Sequence, residues 1–215
     1  MPYDTKALAE GTVDVAMHNG FRRKACFPHQ SPAKAGKERS EKKEKTKMDI
    51  AITRASPEDA AEIIALMKII GSESDNLSFD GNGIPVTVDE EAEFLKSIGH
   101  SRNEAFFVAR RDSKIIGTAH YTAFTKKRMA HRGEFGICVR KSECGRGVGS
   151  MLLGEILSFA KDVARSQIVS LEVRSDNIAA IKLYEKFGFE KIGRFKGFFK
   201  INGEFIDFDI MQKFI

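Results

Sequence analysis

The run Glu143-Cys-Gly-Arg-Gly-Val-Gly-Ser150 places Gly145, Gly147 and Gly149 at alternate positions and opens directly into Met151-Leu-Leu-Gly-Glu-Ile-Leu-Ser-Phe-Ala-Lys-Asp-Val-Ala164. Glycine lets the backbone approach a ligand closely, and the first N–H groups of the following helix have no intrahelical partners, so the unit is suited to bind a phosphate or pyrophosphate. Just upstream, Gly133-Glu-Phe-Gly-Ile-Cys-Val139 reads as a strand, which makes the order strand, glycine loop, helix. The loop lacks the Gly-Lys-Ser/Thr ending of a nucleoside-triphosphate loop. It also lacks the spacing of a dinucleotide fingerprint, and the strand some twenty residues on, containing Glu172, is no clear ribose-binding end. A plain strand-to-helix turn remains the competing reading on spacing alone.

A second segment decides between them. Ile168 to Val173 reads as a strand, Arg174-Ser-Asp-Asn177 supplies capping residues, and Ile178 to Phe187 reads as a short helix ending at Gly188. Asn177-Ile-Ala-Ala-Ile-Lys-Leu-Tyr-Glu-Lys-Phe-Gly-Phe189 closely resembles the signature of the GNAT family of N-acetyltransferases. Glu143 to Leu153 resembles the same family's coenzyme A pyrophosphate loop, Arg/Gln-x-x-Gly-x-Gly/Ala, and the family's order of elements can be followed from Met48 to Ile215. One departure stands out: Cys144 occupies the place of the usual Arg or Gln. Backbone N–H groups make most of the phosphate contacts in such loops, and Arg146 either supplies the missing charge or is a solvated surface residue.

The resemblance implies an acetyl-CoA-dependent enzyme, and an odd count of three cysteines without ligand spacing points to a reducing cytoplasm and no metal. The resemblance also implies an α/β (α+β) fold, a mixed central sheet with helices on both faces. Cys144, Gly145, Arg146, Gly147, Val148, Gly149 and Ser150 inherit the pyrophosphate site. Ile137, Cys138 and Val139 inherit the strand whose backbone holds the thioester and pantetheine. Asn177 matches a position contacting the pantetheine arm, and Tyr184 matches the tyrosine near the coenzyme A sulfur that serves as general acid. Their alternative readings are a helix-capping asparagine and a packed, buried tyrosine. Acyl transfer to an amine also needs a proton acceptor. Glu134, early in the strand leading to the acyl site, is the choice, with His120, His131 and water as competitors. Cys138 and Cys144 have no recognisable His/Asp partners for a covalent route.

Composition bounds the rest. The 215 residues, 42% hydrophobic and 30% charged, suit one domain with a sizeable core. No stretch is long and apolar enough for a membrane span, and Cys26, Cys138 and Cys144 lack metal-ligand spacing. The net charge of +5 is confined to residues 1–47, which hold 11 Lys/Arg and 6 Asp/Glu and leave 24 of each sign for residues 48–215. That leader is expected to be a solvated, disordered or non-native extension. Glu38, Glu41 and Glu44 among its lysines argue against a nucleic-acid arm.

Along the domain, strands are expected at Ile50–Arg54, Ala105–Arg111 and Lys114–Ala123, the last two joined through Asp112-Ser113. Helices are expected from Ser56-Pro57 to about Ile70 and from Asp89 to Ile98. The helix after the glycine loop should bury Val148, Met151, Leu152, Ile156, Phe159, Ala160 and Val163. A final hairpin turns at Asn202-Gly203, and its phenylalanines are expected in the core or the cleft wall. Glu73, Asp75 and Asp80 in the loop between the first two helices suit a cationic acceptor, or are simply solvated. The acceptor class stays open: a polyamine, an amino acid, an antibiotic or a protein N-terminus. A homodimer fits the reading; membrane and nucleic acid do not. The rivals are a non-catalytic acyl-CoA sensor and a nucleic-acid-associated protein.

Overall fold

The structure, a computed structural model, describes residues 50–215, so the expectations for the basic leader lie outside the described residues. Seven strands form one sheet: β1 (Ile50–Arg54), β2 (Glu104–Arg111), β3 (Lys114–Ala123), β4 (Arg132–Val139), β5 (Ile168–Arg174), β6 (Glu190–Ile201) and β7 (Glu204–Phe214), in the order β1-β2-β3-β4-β5-β7-β6. Neighbours are antiparallel except β4 and β5. Among the described residues four α-helices cover it: α1 (Ala60–Glu73), α2 (Val88–Ile98), α3 (Val148–Asp162) and α4 (Ile178–Lys186). The mixed α/β architecture expected from the sequence is the one observed.

Because side chains alternate along a strand, the sheet sorts its residues into two cores. On one face Phe107, Ala119, Tyr121, Phe135 and Ile137 meet Leu152, Ile156 and Phe159 of α3 and Tyr184 of α4. On the other, Phe106, Val108, Ile115 and Cys138 meet Ile63, Met67 and Ile70 of α1 and Leu95 of α2. Thr87 and Glu90 cap α2 reciprocally, the Thr87 hydroxyl accepting from Glu90 N at 3.2 Å and Glu90 Oε2 accepting from Thr87 N at 2.8 Å.

Some details differ from the sequence reading. α1 passes through Gly71 to Glu73, and a Cβ at Gly71 would lie 2.0 Å from the Asp80 carbonyl oxygen, so this glycine serves close packing and not termination. α3 stops at Asp162, which leaves Val163 40% exposed, while Leu153, not among the residues expected in the stripe, is buried. Of the hairpin phenylalanines, Phe208 is buried but Phe195 and Phe205 are 49% and 71% exposed.

Candidate active site

β4 and β5 pair only through Arg132↔Ile168, Gly133↔Val169 and Glu134↔Ser170. Both strands then continue, β4 to Val139 and β5 to Arg174, without pairing to each other, while their outer edges stay paired with β3 and β7. The sheet is therefore split from Phe135 and Leu171 onward. Parallel strands whose ladder stops this early present backbone N–H and C=O groups to whatever enters the gap. Ile137, Cys138 and Val139 all lie on the β4 side of this split.

At the open end of the split the chain leaves β4, makes a 3-10 turn over Lys141–Glu143 and enters the glycine loop. Gly145 and Gly147 have φ of 75° and 89°, the left-handed region that only glycine adopts without strain, and a Cβ at either would meet nothing within 4 Å. Gly147 is the N-cap of α3 and brings no side chain to cap it, so the first-turn N–H groups of Val148, Gly149 and Ser150 form the positive end of a 15-residue helix. Cys144 turns inward, its Sγ 3.5 Å from the Arg140 carbonyl oxygen. Arg146 is half exposed and stands 3.9 Å from Glu143, which is also closely paired with Arg111. Nε and Nη2 of Arg111 are buried with no hydrogen-bond partner among the described residues.

On the other side of the split, Asn177 caps α4. Its Oδ1 accepts from Ala180 N at 3.2 Å, while its Nδ2 is buried with no hydrogen-bond partner among the described residues. An unanswered buried amide donor costs free energy, and a bound carbonyl would recover it. Tyr184 is fully buried, its ring set edge-on to Phe135 of β4 at 5.8 Å and to Phe189 at 6.0 Å. It therefore bridges the two halves of the sheet on the α3/α4 face.

Glu134 sits at the last paired position, the closed end of the split, on the opposite face shared with α1 and α2. The histidines compete poorly for its role. His120 is 3% exposed and turns toward β2, with Nε2 2.8 Å from Glu104 Oε1 and its ring against Phe94 and Phe106. His131 is exposed in the segment before β4. A residue that sequence reading did not assign is Glu172, two positions past Ser170 and so on the same face as Glu134 but inside the unpaired region. Only knowing where the ladder stops identifies it.

The acidic loop residues have structural partners. Glu73 Oε2 accepts from Lys141 N at 2.8 Å, and the Asp75 carbonyl accepts from Arg174 Nη1 at 3.3 Å. Glu73 therefore touches the chain just past β4 and Asp75 touches the end of β5, so the start of the α1–α2 connection bridges the mouth of the split. Asp80 closes its own turn through Asn82 N at 2.8 Å. Among the described residues no group of His, Cys, Asp or Glu is placed to hold a metal, and no helix is long and apolar enough to cross a membrane.

Comparison with known proteins gives the same assignment from sequence and from fold. The L-amino acid N-acetyltransferase AaaT of Escherichia coli is 36% identical over 100 residues, 46% of this chain and 62% of that protein, so the match spans less than two thirds of the relative. An acetyltransferase of the GNAT family from Streptococcus pneumoniae superposes with a TM-score of 0.75 at 35% identity, covering 77% of this chain and 99% of that one. The yncA protein of Salmonella typhimurium, solved with acetyl-CoA, shares the fold at 18% identity and a TM-score of 0.68 over 77% of this chain and 94% of that one. The family model described as "Acetyltransferase (GNAT) family" matches residues 74–189, more than half of the chain and the whole of the split-sheet site, and the protein belongs to that family.

Proposed function

We propose that this chain transfers an acetyl group from acetyl-CoA to a primary amine by direct attack in a ternary complex. The observation that carries the reading is the split between β4 and β5, flanked by an uncapped helix N-terminus on one side and the buried Nδ2 of Asn177 on the other. The residues fit the donor: the glycine loop and α3 N-terminus hold the pyrophosphate, Arg146 adds charge where Cys144 adds none, and the β4 edge from Ile137 to Val139 takes the pantetheine and thioester. In this reading residues 48–215 are the acetyltransferase domain and residues 1–47 an extension to it.

The two faces of the sheet separate the two proton transfers. The amine approaches from the α1/α2 face, where Glu134 at the closed end and Glu172 in the open part are the carboxylates able to take its proton. The amine nitrogen forms the new C–N bond, the C–S bond breaks, and the departing thiolate receives its proton from Tyr184 on the α3/α4 face. Backbone N–H groups of β4 stabilise the charge that develops on the carbonyl oxygen.

Tyr184→Phe keeps the ring against Phe135 and Phe189 and removes the hydroxyl. Acetyl-CoA binding, read by calorimetry, is expected to persist while amine-dependent thiol release falls about 10²-fold or more. Near-normal turnover would leave Tyr184 a packing residue only. Glu134→Gln and Glu172→Gln, compared over a pH series, decide which carboxylate serves the amine: the variant that loses the acidic limb of the rate profile identifies the base. A protein that binds acetyl-CoA yet acetylates no amine would be the non-catalytic sensor.

A further inference from the structure

Consecutive residues of a regular strand point to opposite faces, so Phe198 and Phe199 should straddle the sheet. They do not. The β6–β7 register shifts between Phe195 and Phe199, and the bulge carries Gly197 at φ 61° with its N–H donating to Asp207 Oδ1 at 2.9 Å. The Phe198 and Phe199 rings then stack at 5.4 Å on one side, with Phe208 4.8 and 4.4 Å from them and Phe195 5.1 Å from Phe198.

Register shows which side that is. Phe208 lies beside Arg174 and Ile210 beside Glu172, so the aromatic cluster shares the face of Glu134 and Glu172, with only β5 between it and the split. α1 and α2 pack over β2 and β3 on this face. The result is an apolar wall on the face of Glu134 and Glu172, Phe195 still 49% exposed, that reaches β5 where Phe208 lies beside Arg174.

The segment on the opposite side of the same entrance is acidic in sequence, with Glu73 standing 3.9 Å from Arg140 Nε. Residues 71–95 contain seven Asp/Glu and no Lys or Arg, and Glu73 and Asp75 of this stretch bridge the mouth of the split. The nearby guanidinium of Arg174 is held by both carboxylate oxygens of Asp176, at 2.7 and 2.8 Å, and so is not free to pair with a ligand carboxylate. An ammonium is favoured here, an adjacent carboxylate is repelled, and a broad ring has a surface to stack on.

Resting on the acetyltransferase reading above, we propose that the acceptor is a small arylalkylamine, or a primary amine of comparable apolar breadth, with no carboxylate on the carbon bearing the nitrogen. The test compares phenethylamine, phenylalanine and spermidine in acetyl-CoA-dependent thiol release by the full chain. Phenethylamine is expected to exceed each of the others about tenfold or more in kcat/KM. Phe199→Ala should raise its KM by a similar factor while acetyl-CoA binding and the circular dichroism spectrum stay unchanged, with Phe199→Leu intermediate. Equal or better use of phenylalanine or spermidine overturns the proposal, as does no turnover of phenethylamine by protein that binds acetyl-CoA. Failure to bind acetyl-CoA at all would instead remove the donor reading beneath it. Sedimentation adds a further arm: a dimer converted to monomer by Phe195→Ser, with an unchanged KM for phenethylamine, would assign the wall to a contact between copies and overturn the proposal.

Discussion

Ser150 is the third residue of α3, where a glutamate can fold back onto the N-cap N–H and set a carboxylate against the helix N-terminus that the donor pyrophosphate requires. Ser150→Glu is therefore expected to stabilise the fold by about 0.3–1 kcal/mol while weakening coenzyme A binding at least about tenfold. Thermal denaturation and calorimetric titration of the same sample should move in opposite directions; unchanged affinity would take the helix N-terminus out of the donor site. Gly133, at the closed end of the split, answers to a different constraint. A Cβ there would lie 2.0 Å from the Tyr121 hydroxyl oxygen, which is hydrogen-bonded to Ser166 Oγ at 2.6 Å. Gly133→Ala must push this buried tyrosine aside, and a cost of about 1–3 kcal/mol in urea denaturation is expected.

Among the secondary elements, those specified by local chemistry were legible in the sequence. Asn202-Gly203 turns the last hairpin with φ of 51° and 88°, and Asp112-Ser113 turns the earlier one with 48° and 65°. The glycine loop and the Asn177 cap also fall where their residue types place them. What stayed hidden depends on neighbours distant in sequence. Nothing in the text of β4 or β5 tells that their ladder ends at Glu134↔Ser170, and so Glu172 could not be placed inside the split. Gly71 looks like a helix stop until the Asp80 carbonyl packs against it, and the bulge at Gly197 overrides the alternation that would separate Phe198 from Phe199. A Gly197→Ala change would impose a left-handed conformation on an L-residue and bring its Cβ to 3.2 Å from the Phe205 ring. Its expected cost is about 1–2 kcal/mol in urea denaturation, with a raised acceptor KM as the bulge relaxes. Wild-type stability would show that the backbone there adapts freely.

At the scale of the molecule, the split that admits substrates also weakens the sheet, since one half (β1–β4) and the other (β5, β7, β6) share only three ladder pairs. Within the second half, one buried carboxylate ties the hairpin to the corner that presents Asn177. Asp209 Oδ1 accepts from Ser175 Oγ and from Arg194 Nε, both at 2.7 Å, and Lys191 Nζ lies 2.7 Å from Oδ2. Burial alone raises its pKa, but the hydrogen bonds from Arg194, Lys191 and Ser175 outweigh that and bring it from 3.8 down to about 2. A lowered folded-state pKa means that the stabilisation is fully present above the unfolded value and is lost as pH falls from about 4 to about 2. The shift corresponds to about 2 kcal/mol at most, because the Asp209 side chain is 7% exposed but its partners Arg194 and Lys191 are 43% and 46% exposed and solvent screens the pairs. Asp209→Asn keeps the shape and removes the charge. The difference in unfolding free energy between wild type and variant, from urea denaturation, is expected to be about 1–2 kcal/mol near pH 5 and to shrink as the pH approaches 2, because wild type then carries a neutral carboxyl as well. Other carboxylates titrate in both proteins and cancel in the comparison. A difference that stays constant across that window would mean that Asp209 holds its hairpin by hydrogen bonds alone, and that its charge contributes nothing to keeping the β5–α4 corner beside the split.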